Sequence, residues 1–216
     1  MFDDIEFGRE FFEGLTSIDE AIAQRAALDP CRFCGGPLHR SDYLRKPRGG
    51  LVAAGGEEFV RRFSLCCGRE GCRRRAMPPS LRFLGRRVYL KTVVIAASAI
   101  ALSIASAAAV RRATGIAAGT TRRWLRWWRG SFAATSVYVD LSARLVPTPT
   151  RAMMPRSILT MLSDDPPQSV SKLLAWLLPI TASEGCGSVW SRGLVAMLRR
   201  GALAQKMALL GVTSEM

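Results

Sequence analysis

Six cysteines in a chain of 216 residues are the side chains best equipped for chemistry, and their spacing decides which chemistry. Cys31-Arg-Phe-Cys34-Gly-Gly sets two thiols on a tight turn, where the glycines let backbone amides approach sulfur without a side-chain clash. Further on, Cys66-Cys67-Gly68-Arg-Glu-Gly71-Cys72 repeats the arrangement with a longer loop. Two such turns predict a structural S4 zinc site, tetrahedral and closed to water. Either Cys66 or Cys67 can complete it. Cys67 is preferred because its loop to Cys72 is the shorter, which leaves Cys66 as a strand residue facing a small core. The expected ligands are Cys31, Cys34, Cys67 and Cys72, with His39 as a substitute. Redox chemistry is not expected, since a thioredoxin-like Cys-x-x-Cys follows a strand and opens a helix, whereas Cys31 follows Pro30 and precedes two glycines. Cys186 and His39, each taken alone, read as packing or surface residues, because a single donor holds no metal.

The second constellation is built from arginine. The segment Ile104 to Ile116 reads as a small-residue helix stopped by Gly115, the tight turn that a helix-turn-helix requires. Ala118 to Arg129 is the next helix. There Trp124, Leu125 and Trp128 form an expected buried stripe, and Arg122, Arg126 and Arg129 recur at helical spacing on another face. A recognition helix offers its N-terminal residues to base edges, so Ala118, Thr120, Thr121 and Arg123 are the expected readers of the major groove. Arg111, Arg112, Arg122 and Arg126 are expected on phosphate, which fixes register without reading sequence. The bland alternative is a solvated basic helix.

The elements around these sites follow from charge and breakers. Net charge is −6 over residues 1 to 30, +17 over 31 to 130 and +3 over 131 to 216. An arginine-rich block of that size suits a phosphate backbone, whose condensed counterions are released on binding, with a membrane surface as the rival partner. The opening Met1-Phe2-Asp3-Asp4-Ile5-Glu6 is acidic and unlike a secretory leader. Reduced thiols in a bacterial-type cytoplasm are therefore expected. Residues 1 to 15 read as irregular or weakly helical, and Ser17-Ile-Asp-Glu20 as a capping box opening a short helix to about Leu28. Short ribbon strands are expected at Leu51 to Ala53 and Phe59 to Leu65, and later helices near 155 to 163, 168 to 178 and 188 to 210. The predicted class is mainly α: an acidic segment with a short helix (1–29), a zinc ribbon (30–80), a helix-turn-helix bundle (81–130) and a helical C-terminal region (131–216). The amphipathic segment Val189 to Leu210 is a candidate dimer contact.

Thr92 to Val110 carries no charge over nineteen residues, long enough to span a bilayer. Its alanines and serines suit close packing in a small bundle better, with Val93, Val94, Ile95, Ile100, Leu102 and Ile104 as core. A membrane-anchored zinc-ribbon protein is accordingly the rival reading.

Cys31-Arg-Phe-Cys34-Gly-Gly, the exit Cys72-Arg-Arg-Arg75 and Thr114-Gly-Ile-x-x-x-Thr-Thr-Arg-Arg-Trp-Leu together resemble the zinc-ribbon and helix-turn-helix front ends of bacterial insertion-sequence proteins, transposases and small transposon accessory proteins. The resemblance covers about residues 30 to 130. It implies binding of double-stranded DNA at element ends, through the zinc cysteines and the recognition helix quoted above. Because two-fold DNA sites favour a dimer, a homodimer or a transposase partner is expected. Strand transfer in that family needs three carboxylates holding two metal ions. After residue 130 the acids are only Asp140, Asp164, Asp165, Glu184 and Glu215, and Asp164-Asp165 before Pro166 reads as a turn. The chain has neither a phosphate loop nor a nucleophile elbow. The expectation is a sequence-specific DNA-binding protein without a catalytic centre, not an enzyme; a transposase remnant is the third reading.

Overall fold

The computed structural model describes residues 7–47, 57–84, 89–104 and 106–181. The expected strand at 51–53, the helix at 188–210, the contact segment Val189 to Leu210 and Cys186 lie outside them. The described residues are mainly helical with two small antiparallel sheets. The described residues fall into two compact units, one of 7–8 and 89–177, the other of Arg9–Pro47, 57–84 and 178–181.

The cysteine-bearing unit opens with helix α1, Arg9–Ala27. Phe12, Leu15, Ile18, Ile22, Ala23 and Ala26 recur every three or four residues, so one stripe is apolar and buried. The expected capping box at Ser17 is corrected here: Ser17 and Glu20 lie mid-helix, and the apolar stripe carries the helix two turns further back. After Asp29-Pro30 the chain makes β1 (Leu38–Arg40), β2 (Tyr43–Leu44), a one-turn helix α2 (Glu57–Val60), β3 (Arg61–Arg62), β4 (Leu65–Cys67) and β5 (Arg75–Ala76). One sheet has the order β1-β4-β5, with Leu38 opposite Cys67, His39 opposite Cys66, and Cys66 opposite Arg75; β2 and β3 form the other. The expected strand at Phe59 to Leu65 is thus a helical turn followed by pieces of two strands.

A buried polar knot fastens α1 to the chain beyond the strands. Asp19, on the buried stripe, accepts from Arg82 Nε at 2.9 Å, from the Leu81 N–H at 2.6 Å and from the Ser80 hydroxyl at 2.5 Å. The Arg82 guanidinium also donates to the carbonyls of Phe59 and Arg61 at 2.8 and 3.0 Å. Arg62 is buried beside it, donating to the Phe63 and Pro78 carbonyls, with Nε unpartnered among the described residues. Burial lowers the Arg62 pKa, and the Asp19 charge partly restores it.

The other unit is a helical bundle. Helix α3, Lys91–Ile100, is buried on every side, as a helix apolar all round must be. It stops at Ala101, and α4, Ala107–Thr114, restarts on Ser106, whose hydroxyl accepts from the Ala109 N–H at 3.0 Å. The uncharged run from Thr92 to Val110 is therefore two helices. α3 is about 15 Å long at 1.5 Å per residue, half the ~30 Å hydrocarbon thickness, and among the described residues no helix is long and apolar enough to cross a membrane. Helix α5, Ala118–Arg129, packs on both α3 and α4. Beyond it come α6 (Ser136–Ser142), α7 (Arg156–Leu162) and α8 (Pro166–Trp176), with α7 against α8 and α8 against α3. Asp165 caps α8, accepting from the Gln168 N–H at 2.9 Å, which agrees with the turn expected at Asp164-Asp165.

Candidate metal centre and candidate nucleic-acid interface

Cys31, Cys34, Cys67 and Cys72 converge, their sulfurs all within 4.8 Å of one another. Cys31 and Cys72 are 3.9 Å apart, Cys34 and Cys67 3.4 Å. A tetrahedron of four sulfurs about 2.3 Å from one ion has edges of about 3.8 Å. The set fits a tetrahedral metal ion such as zinc.

Backbone geometry builds the two turns. Cys31 N–H donates to the Gly36 carbonyl at 2.8 Å and Gly35 N–H to the Cys31 carbonyl at 2.7 Å, with Gly35 in the left-handed region at φ 70°. In the second turn Cys72 and Arg73 N–H groups donate to the Arg69 carbonyl at 3.1 and 3.3 Å, and Gly71 has φ 80°. Gly36 is required by space: a Cβ there would lie 3.0 Å from Arg69 Cβ, 3.2 Å from Cys67 Sγ and 3.4 Å from Cys34 Sγ.

Backbone N–H groups also point at sulfur. The Gly36 N–H, helped by the neighbouring thiols, holds Cys34 down to about 7 against the opposing effect of its burial. At Cys67 the Arg69 N–H acts in the same direction, but burial and the three other sulfurs outweigh it and push the thiol up to about 12. Cys72 receives the Arg74 N–H, yet Cys34 and burial leave its pKa raised. Four thiols this close cannot all ionise unaided, and a cation among them supplies the missing stabilisation.

The choice between Cys66 and Cys67 falls as expected on Cys67, which is buried on β4 facing the other three. Cys66, its neighbour on the pleat, turns the opposite way and lies 3.3 Å from the Arg73 carbonyl. It is half-buried rather than a core residue. His39 is corrected as a substitute ligand. It is exposed, its ring lies over Gly68, where a Cβ would come within 2.4 Å of Nε2, and the sulfur cluster is complete without it.

In the helical unit, Gly115 ends α4 with φ 68°, and its N–H reaches the Arg111 carbonyl at 2.9 Å. Thr114 and Ile116 are buried at the turn, with the Ile116 N–H donating to Thr114 Oγ1 at 3.1 Å. Ala117 then opens α5. Thr121, Trp124 and Trp128 are its buried residues, and Trp128 Nε1 donates to Ser98 Oγ on α3 at 3.2 Å. Tyr89 meets Trp124 edge-to-face at 4.9 Å.

At 100° per residue, Thr121, Trp124 and Trp128 share one narrow stripe, and Arg122, Arg123, Arg126 and Arg129, all exposed, fill the opposite face. Arg111 and Arg112 on α4 are exposed as well. Together with Ala107, Ala108, Ala117 and Ala118 they line an open depression of about 570 Å³. Arg123 is held by a 3.0 Å bond from Nη2 to Thr120 Oγ1, and both Thr120 and Ala118 are half-buried. Two expectations change. Thr121 cannot present its side chain outward: it is buried, and its hydroxyl has no partner among the described residues. Leu125 is only half-buried, so Thr121 takes its place in the stripe.

Sequence reasoning missed the Asp19–Arg82 knot and buried Arg62. The one signal available was Asp19 falling on the apolar stripe of α1. The chain matches no protein-family model, no curated protein and no solved structure.

Proposed function

We propose that the chain is a sequence-specific binder of double-stranded DNA, transposon-associated, with a structural zinc ribbon around Cys31, Cys34, Cys67 and Cys72 and a helix-turn-helix made by α3, α4 and α5. It has no catalytic centre of its own in this reading. The observation that carries it is the division of α5 into a buried Thr121–Trp124–Trp128 stripe and an opposite face of exposed arginines, beside a depression lined by Arg111 and Arg112. A helix with one face fixed in a bundle and the other a row of planar donors is suited to a major groove. Arg123, Thr120 and Ala118 occupy the N-terminal half that reads base edges, and Arg111, Arg112, Arg122 and Arg126 meet phosphate.

Zinc makes the ribbon a rigid body despite its short strands, because metal bonds replace the core that so few residues cannot build. The broken Thr92 to Val110 run supports bundle core over a spanning helix. The test is anisotropy of a labelled duplex titrated with the zinc-loaded full chain over a range of salt. The four phosphate contacts from α4 and α5 alone predict a slope of log affinity against log salt of about −3.6, at about 0.9 per phosphate, and any further phosphate contact steepens it. Absence of duplex binding at low salt, or binding indifferent to salt, would refute the reading.

A further inference from the structure

The tip of the first cysteine turn carries a feature that the metal site does not need. Phe33 lies between two ligands, Cys31 and Cys34, and is 45% exposed. The Arg32 guanidinium sits over its ring at 4.3 Å from the centroid, and the Arg74 guanidinium at 4.2 Å. Both arginines are exposed, and neither guanidinium has a hydrogen-bond or carboxylate partner among the described residues. Arg74 belongs to the second turn, where its carbonyl accepts the Cys67 N–H at 2.9 Å. The three residues thus come from two turns that share one metal site, and the ring holds both cations where like charges would otherwise part.

An exposed guanidinium gains little by stacking on an exposed ring unless its donor edge also has work to do. Stacking holds the plane and leaves the N–H edge open, which cuts the side-chain entropy lost on meeting an anion. From these contacts we infer that Arg32, Phe33 and Arg74 form a clamp on the ribbon for the phosphate backbone of DNA, distinct from the α5 residues. Arg32 and Arg74 donate to phosphate oxygens, and Phe33 is a positioning residue. The inference rests on the DNA reading for its ligand.

The test uses the zinc-loaded full chain on a labelled duplex of arbitrary sequence across a salt series, with the zinc content of every variant verified. Arg74→Ala is expected to weaken binding roughly tenfold and to flatten the salt slope by about 0.9, the value for one phosphate. Phe33→Leu, which keeps bulk but loses the ring face, is expected to weaken binding in the same direction, and Phe33→Tyr to restore it. Arg74→Ala and Phe33→Leu binding as the parent does, with unchanged slope, would overturn the clamp and leave the α5 reading standing. Failure of the parent chain to bind any duplex would overturn both. Parent binding to polyglutamate but not to duplex, lost in Arg74→Ala, would also overturn it, by assigning the clamp to protein carboxylates.

Discussion

Replacing Asp19 by Ala removes the acceptor at the centre of the buried knot and leaves three donors behind, Arg82 Nε, the Leu81 N–H and the Ser80 hydroxyl. Arg82 and Asp19 are each about 1% exposed, so water cannot take the place of the carboxylate without opening the unit. Arg82 keeps the Phe59 and Arg61 carbonyls but loses its counter-charge, with buried Arg62 nearby. Breaking a buried pair on one side costs about 3–5 kcal/mol. Asp19→Asn, whose amide oxygen still accepts one bond, should fall at or below the lower end. Zinc release into a chromogenic chelator during urea titration reads this unit directly. At a urea dependence of about 1 kcal/mol per M, Asp19→Ala should bring the midpoint down by about 3–5 M or abolish the transition. A loss under about 1 kcal/mol for Asp19→Ala would refute the claim that this knot secures α1 to the ribbon.

Gly36→Ala pushes a methyl group against Cys67 Sγ, Cys34 Sγ and Arg69 Cβ, and should weaken zinc binding about 10–100-fold in chelator competition, the range for a disturbed ligand surround. Gly115→Ala forces a side chain into φ 68° and should cost about 1–2 kcal/mol of stability, read by tryptophan fluorescence in urea because Trp124 and Trp128 are packed just beyond the turn. Zinc affinity should fall as pH falls, since protons compete for the thiolates. The fall should be steeper below pH 7, where Cys34, held at about 7, must also lose a proton, than above it, where Cys67, pushed up to about 12, still must. Occupancy independent of pH would mean that sulfur does not hold the ion.

The cysteine set was legible because metal geometry is local: two short turns with glycines at fixed offsets can close on an ion almost regardless of what surrounds them. The bounds of α5 were equally open, since Gly115 and Gly130 bracket a strong helical period. Ser17-x-x-Glu20 misled because a capping box is a four-residue pattern that fits a helix interior as well as a start, whereas the stripe from Phe12 to Ala26 takes about four turns to show itself. Thr121 misled in another way. Its type suggests base contact, but its angle on the helix places it beside Trp128 on the buried stripe, and angle prevailed. The Asp19–Arg82 pair lies 63 residues apart in sequence, and no spacing rule reaches that far. The break in Thr92 to Val110 rests on Ser106 accepting the Ala109 N–H, a cap among several serines that composition alone does not single out.

Sequence reading by α5 is the central proposal. Its most direct measurement is selection of duplexes from a random pool by the zinc-loaded chain and by Arg123→Ala. The parent chain should enrich a short motif, and Arg123→Ala should lose preference at one position, by about 1–3 kcal/mol, with the rest of the motif retained. Enrichment of no motif by the parent, or an Arg123→Ala chain that weakens equally on every sequence, would contradict sequence reading by this helix.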